Sequence, residues 1–213
     1  MPTYENVLSY AKVGPVSGYD GSLNPMRQGK NGSLMVQKGA PDFQEAVLRG
    51  SCFSVANQAG VTSQAGLSAT TPVLTLANPA GSGVNAVIWY VGATFLVAFA
   101  AGAAIFIAVG TNPIAAAVTG TLTTAHRNLL LGGGGPKIVP LLAATLPAAP
   151  VAIGLLGAGL TGAITTTPHK QALGKWVNGG IILQPGTNLS IQTSTASGAS
   201  GMLCEYIWEE VGI

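Results

Sequence analysis

A long stretch without any charged side chain sets the main limit on how this chain can fold. No Asp, Glu, Lys or Arg occurs between Arg49 and Arg127, whereas more than half of the charged residues lie at or before Arg49. This change in composition predicts two parts, an N-terminal arm over residues 1–50 and a body over residues 51–213. Glycine and proline interrupt the arm so often that we expect an extended segment with one short strand, over residues 33–37.

Within the body, the spacing of side chains predicts β-strands. Residues 202–209 and 189–194 alternate with a period of two. Together with the apolar run 181–183 and the turn at Pro185-Gly186, they predict three consecutive antiparallel strands within residues 178–210. The fold class predicted from the residues is all-β, an antiparallel β-sandwich or barrel. Further apolar or β-branched runs, each ending at a break rich in glycine or proline, predict strands at 73–77, 84–95, 104–109, 118–124 and 151–155.

Two uncharged runs of membrane-spanning length leave an alternative open. Residues 84–109 and 139–164 are each long enough to cross a bilayer as a helix. The second run contains three prolines, and neither is bounded by the aromatic and basic residues that commonly anchor a span. We therefore expect strands that are apolar on both faces and need cover from other copies or a larger assembly. A small integral membrane protein is the alternative.

The net charge of the chain, +2, argues against two classes of partner. Nucleic-acid binding depends on a clustered basic surface that neutralises phosphates, and attraction to an anionic membrane surface also needs concentrated positive charge. We expect neither nucleic acid nor a membrane as a partner.

Motifs of catalytic type occur, but they lack the context that their chemistry requires. Residues 157–162 match the pattern GxGxxG, yet a β-branched segment ending at Pro168 follows them, where a dinucleotide site would open a helix. His126 and His169 have no carboxylate near them in sequence to orient the ring. Glu205 and Glu209 share one face of a predicted strand, so they do not form a catalytic pair. No enzymatic activity and no cofactor are expected.

The two cysteines, Cys52 and Cys204, are far apart in sequence and have no metal-ligand spacing. Cysteine without such a motif is among the most frequently buried residue types. Two buried free thiols and no metal site are therefore expected.

Six short segments form an ordered set that can be compared with known proteins. They are RQGKNGSLMVQ (27–37), EAVLRG (45–50), SVANQAGV (54–61), LANPAGSG (76–83), LQPG (183–186) and YIWEEV (206–211). Their order, together with the low-charge body rich in Ala, Gly and Thr, resembles a group of tailed-bacteriophage virion structural proteins. The resemblance runs from about residue 27 to the C-terminus, and no single segment is diagnostic.

What this resemblance implies is a capsid decoration or cement protein with a jelly-roll body, located on the outer surface of the virion. Its expected partners are the major capsid protein and further copies of itself, with a homotrimer as the favoured arrangement. The arm would dock on the capsid, and its basic residues are the candidate contacts. These are Lys12, Arg27, Lys30, Lys38 and Arg49.

A competing hypothesis is a head-fibre or tail-associated protein that binds the host. Tyr206 and Trp208 could stack on host glycans if they were exposed, but their period-two spacing favours packing in the core.

Overall fold

In the computed structural model of the chain, the residues described are 43–97, 99, 101–159 and 173–213. The chain divides between Gln44 and Glu45, and the body is Glu45–Ile213. The predicted strand at 33–37 lies outside the described residues. A short helix, α1 (Gln44–Leu48), lies at the division, and a 3-10 turn spans Ile114–Ala116.

The described residues form eleven β-strands, and these belong to two antiparallel sheets. The five-stranded sheet has the order β6-β1-β11-β3-β9, and the six-stranded sheet has the order β5-β7-β2-β10-β4-β8. The two sheets pack face to face, which confirms the predicted all-β sandwich. The strands are β1 (Cys52–Ala56), β2 (Leu74–Asn78), β3 (Val84–Phe95), β4 (Ala103–Thr111), β5 (Thr119–Leu122), β6 (Arg127–Asn128), β7 (Val139–Thr145), β8 (Val151–Gly159), β9 (Leu173–Leu183), β10 (Thr187–Thr193) and β11 (Met202–Gly212).

Eight of these strands follow the jelly-roll order. When β5, β6 and β7 are set aside, the first strand pairs with the last, β1 with β11, and the second pairs with the next to last, β2 with β10. The same nesting continues inwards with β3 against β9 and β4 against β8. This is the pattern of one long hairpin wrapped round to close two four-stranded sheets over a common core. The three inserted strands extend the sheets at the edges where β1 and β2 lie.

The core lies between the sheets and is filled by side chains from alternate positions. Met202, Cys204, Tyr206 and Trp208 of β11 are all buried. Trp208 stacks on Phe53 with ring centroids 5.7 Å apart, and the Tyr206 hydroxyl donates a hydrogen bond to the Leu74 carbonyl at 3.0 Å. Burial of each such large side chain contributes about 1.5–3 kcal/mol to the stability of the fold.

The structure confirms most of the predicted strands and corrects their arrangement. β3 has the predicted bounds, and the three C-terminal strands are present. They do not neighbour one another, because β9 and β11 belong to the five-stranded sheet and β10 to the six-stranded sheet. The turn at Gly186, with φ of 83°, therefore leads the chain from one sheet to the other. The sequence pattern missed β1, β6 and β7.

The two runs of membrane-spanning length form strands instead of helices. Residues 84–109 contain β3 and most of β4, and the described part of 139–164 contains β7 and β8. Proline and glycine separate the strands within each run. Among the residues that the structure describes, no helix has both the length and the apolar character needed to cross a membrane.

Candidate interaction surfaces

The basic residues of the arm are placed only in part. Arg49 follows α1, and its guanidinium lies 3.0 Å from the Glu45 carboxylate. Both side chains are exposed, so this ion pair contributes about 0–1 kcal/mol. Lys12, Arg27, Lys30 and Lys38 lie outside the described residues.

The clearest candidate interaction surface of the body is the side of the sandwich where β8 and β9 form the last strands of their sheets. Four large apolar side chains are exposed here: Val151 at 66%, Ile153 at 50%, Leu155 at 61% and Ile182 at 54%. The only charged residue in β8 and β9 is Lys175. An exposed apolar edge strand with unpaired backbone groups is a template for association with another chain.

The two sheets close at one end of this edge and separate at the other. At the closed end the Leu173 side chain lies against Gly157, so closely that a Cβ at Gly157 would be 3.0 Å from it. At the open end a cleft of about 530 Å³ lies between the sheets, and we call it the edge cleft. Its lining includes Val109, Val151, Ile153 and Ile181. The edge cleft is apolar and open to the surface.

Irregular pairing shapes the strands at this edge. The pairing of β4 with β8 shifts register twice, between Ile105 and Phe106 and between Ile107 and Ala108. In β9, four residues between Trp176 and Ile181 stand opposite the single residue Trp89 of β3. Asn178 and Gly179 in that bulge have positive φ. Bulges of this kind redirect side chains and interrupt regular pairing.

A second candidate surface is the outer face of the five-stranded sheet, where side chains form two rows across the strands. The register places Ser54, Ile207, Tyr90 and Trp176 in one row, and Ala56, Glu205, Gly92 and Gly174 in the next. We call the part of this face around Tyr90, Trp176 and Glu205 the aromatic face. The Tyr90 and Trp176 rings have centroids 5.0 Å apart and are tilted by 55°. Trp176 is 55% exposed.

The glycine pair in the second row leaves room for its larger neighbours. A Cβ at Gly92 would be 2.6 Å from the Glu205 carboxylate and 2.8 Å from the Tyr90 ring. A shallow pocket of about 310 Å³ opens beside Tyr90, Gly92 and Glu205. Burial, and then the charge of Glu205 and a hydrogen bond to it, raise the pKa of Tyr90 above its ordinary value.

Tyr206 and Trp208, the residues of the host-glycan hypothesis, are fully buried. Their predicted packing in the core is confirmed, and they cannot stack on a ligand from solution. The outward-facing pair of the half-buried Tyr90 and the exposed Trp176 was missed. The outward direction of Tyr90 follows from the alternation of β3, but Trp176 lies before the predicted C-terminal strands, and a bulge separates it from the rest of β9.

The structure describes some of the residues in the sequence motifs of catalytic type. Gly157 lies within strand β8, and the rest of that motif beyond Gly159 lies outside the described residues. The His126 ring contacts the Thr123 carbonyl at 3.0 Å, and His169 is not among the described residues. The carboxylate of Glu210 accepts hydrogen bonds from the backbone N–H groups of Lys137 and Ile138, at 2.8 and 2.9 Å. It therefore fixes the loop before β7.

Both cysteines are buried free thiols, as predicted. Burial, followed by the charge of Glu209, raises the pKa of Cys52 to about 12, and burial also raises the pKa of Cys204. Such thiols stay protonated and weakly nucleophilic at neutral pH. Within the described part of the chain, no three His, Cys, Asp or Glu side chains form a group that could hold a metal ion.

Protein-family models, curated proteins and solved structures were all compared with this chain, and none of them matches it.

Proposed function

We propose that the protein is a capsid decoration or cement protein, which binds the outside of a bacteriophage head and stabilises it by non-covalent contacts. The observation that carries this proposal is the apolar edge of β8 and β9 on a jelly-roll body, where Lys175 is the only charged residue of the two strands. A surface of this kind favours association with protein. The resemblance of the sequence to phage virion proteins supports the same role.

A second copy of the chain is the proposed occupant of the edge cleft. The aliphatic side chains at its mouth match a partner surface that is equally uncharged, and the body of the same chain supplies such a surface. Repeated around an axis, this contact would produce a closed oligomer, for which a homotrimer is the proposed state.

The arm is the proposed attachment to the major capsid protein. Its basic side chains would pair with acidic groups on the shell, each pair contributing about 0–1 kcal/mol. Each oligomer would attach through several arms, so the small free energies of the individual ion pairs add up to stronger binding to the particle. Replacing Lys12, Arg27, Lys30 and Lys38 by Gln in the full chain should weaken binding to particles and leave the fold of the body unchanged.

The proposed stabilisation requires no chemical step. A protein that binds only the assembled shell shifts the equilibrium toward that shell by mass action. Particles stripped of the protein should release DNA at a lower temperature than decorated particles. Addition of purified protein, without metal or nucleotide, should restore the higher temperature.

The same measurement separates this role from host binding. If stripped and decorated particles release DNA at the same temperature, and the stripped particles fail to adsorb to cells, the cement role is wrong and a head-fibre or tail-associated role replaces it.

A further inference from the structure

We propose that the aromatic face is a binding site for a neutral sugar residue, formed by Trp176, Tyr90 and Glu205. This inference goes beyond the decoration role, because it assigns a ligand to a surface that neither self-association nor capsid docking uses. The residues of the edge cleft do not include Trp176, Tyr90 or Glu205.

The aromatic rings supply the apolar half of such a site. Trp176 exposes more than half of its surface on an outward-facing row of the sheet, and Tyr90 lies beside it in the same row. The rings are held on two paired strands, so little conformational freedom is lost when a ligand contacts them. One face of a pyranose ring carries mainly C–H groups, which pack against an aromatic ring of this kind.

The polar half of the site is provided by Glu205 and the Tyr90 hydroxyl. Glu205 is exposed and stands next to Gly92 in the second row. A carboxylate accepts hydrogen bonds strongly, and vicinal sugar hydroxyls donate them in pairs. The Tyr90 hydroxyl donates to Glu205, and its oxygen can in addition accept a hydrogen bond from a sugar hydroxyl.

The glycines give the site its shape. Because side chains are absent at Gly92 and Gly174, the Tyr90 ring can lie over Gly174 and the Glu205 carboxylate over Gly92, and both groups are held close to the sheet. The lining of the pocket of about 310 Å³ at this place includes Ala56, Gly92, Leu173, Leu203, Tyr90 and Glu205, whereas Trp176 is not part of this lining and contacts Tyr90. This volume is at the small end of the range for ligand sites, about 300–1,000 Å³, and suits one or two sugar units.

The charges around the pocket favour a neutral sugar over a charged ligand. Glu205 would repel the carboxylate of a sialic acid or a sulfate group, and none of the described residues that line the pocket is basic. A cationic side chain would satisfy Glu205, but it would leave the apolar lining at Ala56, Leu173 and Leu203 uncovered. A ligand with both a C–H face and a hydroxyl edge satisfies both parts of the site.

Binding to immobilised glycans tests the inference with the full-length protein. The probes are oligosaccharides that end in glucose, galactose or N-acetylglucosamine, with sialylated and sulfated forms of the same chains as matched controls. We expect binding to at least one neutral series and weaker binding to its charged counterparts. Absence of binding to every neutral probe, or preference for the charged forms or for a choline-bearing probe, would overturn the inference.

Variants then assign the binding to the aromatic face. Trp176→Ala should lower the affinity about fivefold to tenfold, whereas Trp176→Phe, which keeps a ring, should retain most of it. Glu205→Gln should also weaken binding. Leu131→Ala is the control, because Leu131 is 84% exposed and lies far from β9 in the sheet order. Unchanged sugar binding in Trp176→Ala would also contradict the inference.

Two further measurements keep the outcomes separate. The melting temperature shows that each variant is folded, and light scattering shows that its oligomeric state is unchanged. Loss of sugar binding in a variant that still binds particles supports the sugar site. Failure to bind sugar by a protein that stabilises particles would refute the sugar site and leave the decoration role intact.

Discussion

Strands β10 and β8 belong to the same sheet and contain no charged residue. In β10 polar side chains are buried, and in β8 apolar side chains are exposed, which is the opposite of the usual arrangement. β10 carries Asn188, Ser190 and Gln192, and all three are buried. β8 carries Val151, Ile153 and Leu155, and all three are exposed. In an antiparallel sheet the apolar side chains normally face the core and the polar ones face water.

The difference lies in what covers each strand. The Gln192 amide donates to the Ser68 carbonyl and accepts from the Ser68 N–H, at 3.2 and 3.3 Å. Nearby, the Ser63 and Thr193 hydroxyls are 2.7 Å apart. Loop residues of the same chain therefore cover the end of β10 through polar contacts. Within the described residues, no comparable segment covers β8, so its apolar side chains are available to another chain.

The largest expected effect comes from comparing two tryptophans, one in the core and one on the aromatic face. Trp208 is fully buried, so Trp208→Ala should lower the free energy of unfolding by about 3–5 kcal/mol. Trp176→Ala should lower it by less than about 1 kcal/mol, because Trp176 is already half in water. Urea denaturation of both variants measures the difference, and equal losses would contradict the described burial.

A charge in the edge cleft tests whether β8 is covered by a second copy. Ile153→Lys would place an unpaired charge in the proposed interface, which costs about 2–5 kcal/mol of association energy. The folded subunit should keep its stability, since Ile153 is exposed within it. Light scattering should show a smaller particle at the same concentration. Leu131→Lys is the matched control and should leave the mass unchanged. If Ile153→Lys associates like the unmodified chain, the second copy binds elsewhere.

The polar cover of β10 is tested by removing the amide of Gln192. Gln192→Ala leaves the Ser68 backbone groups without their partner and should lower the free energy of unfolding by about 1–3 kcal/mol. Gln58→Ala is a suitable control, because Gln58 is exposed, and its effect should stay within about 0.5 kcal/mol. Thermal unfolding measures both. A loss no larger in Gln192→Ala than in the control would mean that loop and strand are held by other contacts.

The buried thiols predict how stability depends on pH. Their pKa values are raised in the folded protein, to about 12 for Cys52 from an ordinary 9.0. The unfolded chain therefore releases its thiol protons first, and stability that is complete below pH 9 is lost as the pH rises above it. Each thiol accounts for about 1.4 kcal/mol per pH unit in that range. Denaturation midpoints between pH 8 and 10 should fall less in Cys52→Ala/Cys204→Ala than in the unmodified chain.

Sequence reasoning recovered most of the strands but not which strands pair with one another. Alternation in β11 and the long run of β3 mark strands because each is long and begins directly after a glycine. β7 has no clear strand pattern in the sequence, because Pro140 lies inside it and proline usually interrupts a strand. Which strands pair depends on contacts between distant segments, such as Cys52 with Glu209, and no local pattern records them.

The candidate surfaces were less predictable than the fold for the same reason. The need for cover followed from the uncharged composition, but the location of the exposed side chains did not. Val151 and Ile182 are far apart in sequence and line the same cleft only because the two sheets of the jelly roll pack together. Trp176 lies opposite Tyr90 because of the register in which β9 pairs with β3, and a four-residue bulge next to this pair sets that register.

The smallest effect is expected for Arg49, because its side chain is exposed to solvent. The pair with Glu45 is about two-thirds exposed on both sides, so water and salt weaken it, and Arg49→Ala should change the free energy of unfolding by less than about 0.5 kcal/mol. If Arg49 also contacts the capsid, the same variant should bind particles up to about fivefold more weakly at low salt, with a smaller difference at high salt. Glu45→Gln is the control, because it breaks the same ion pair and keeps the basic group. Equal particle binding by the Arg49→Ala variant and the unmodified chain at low salt would remove Arg49 from the docking contacts.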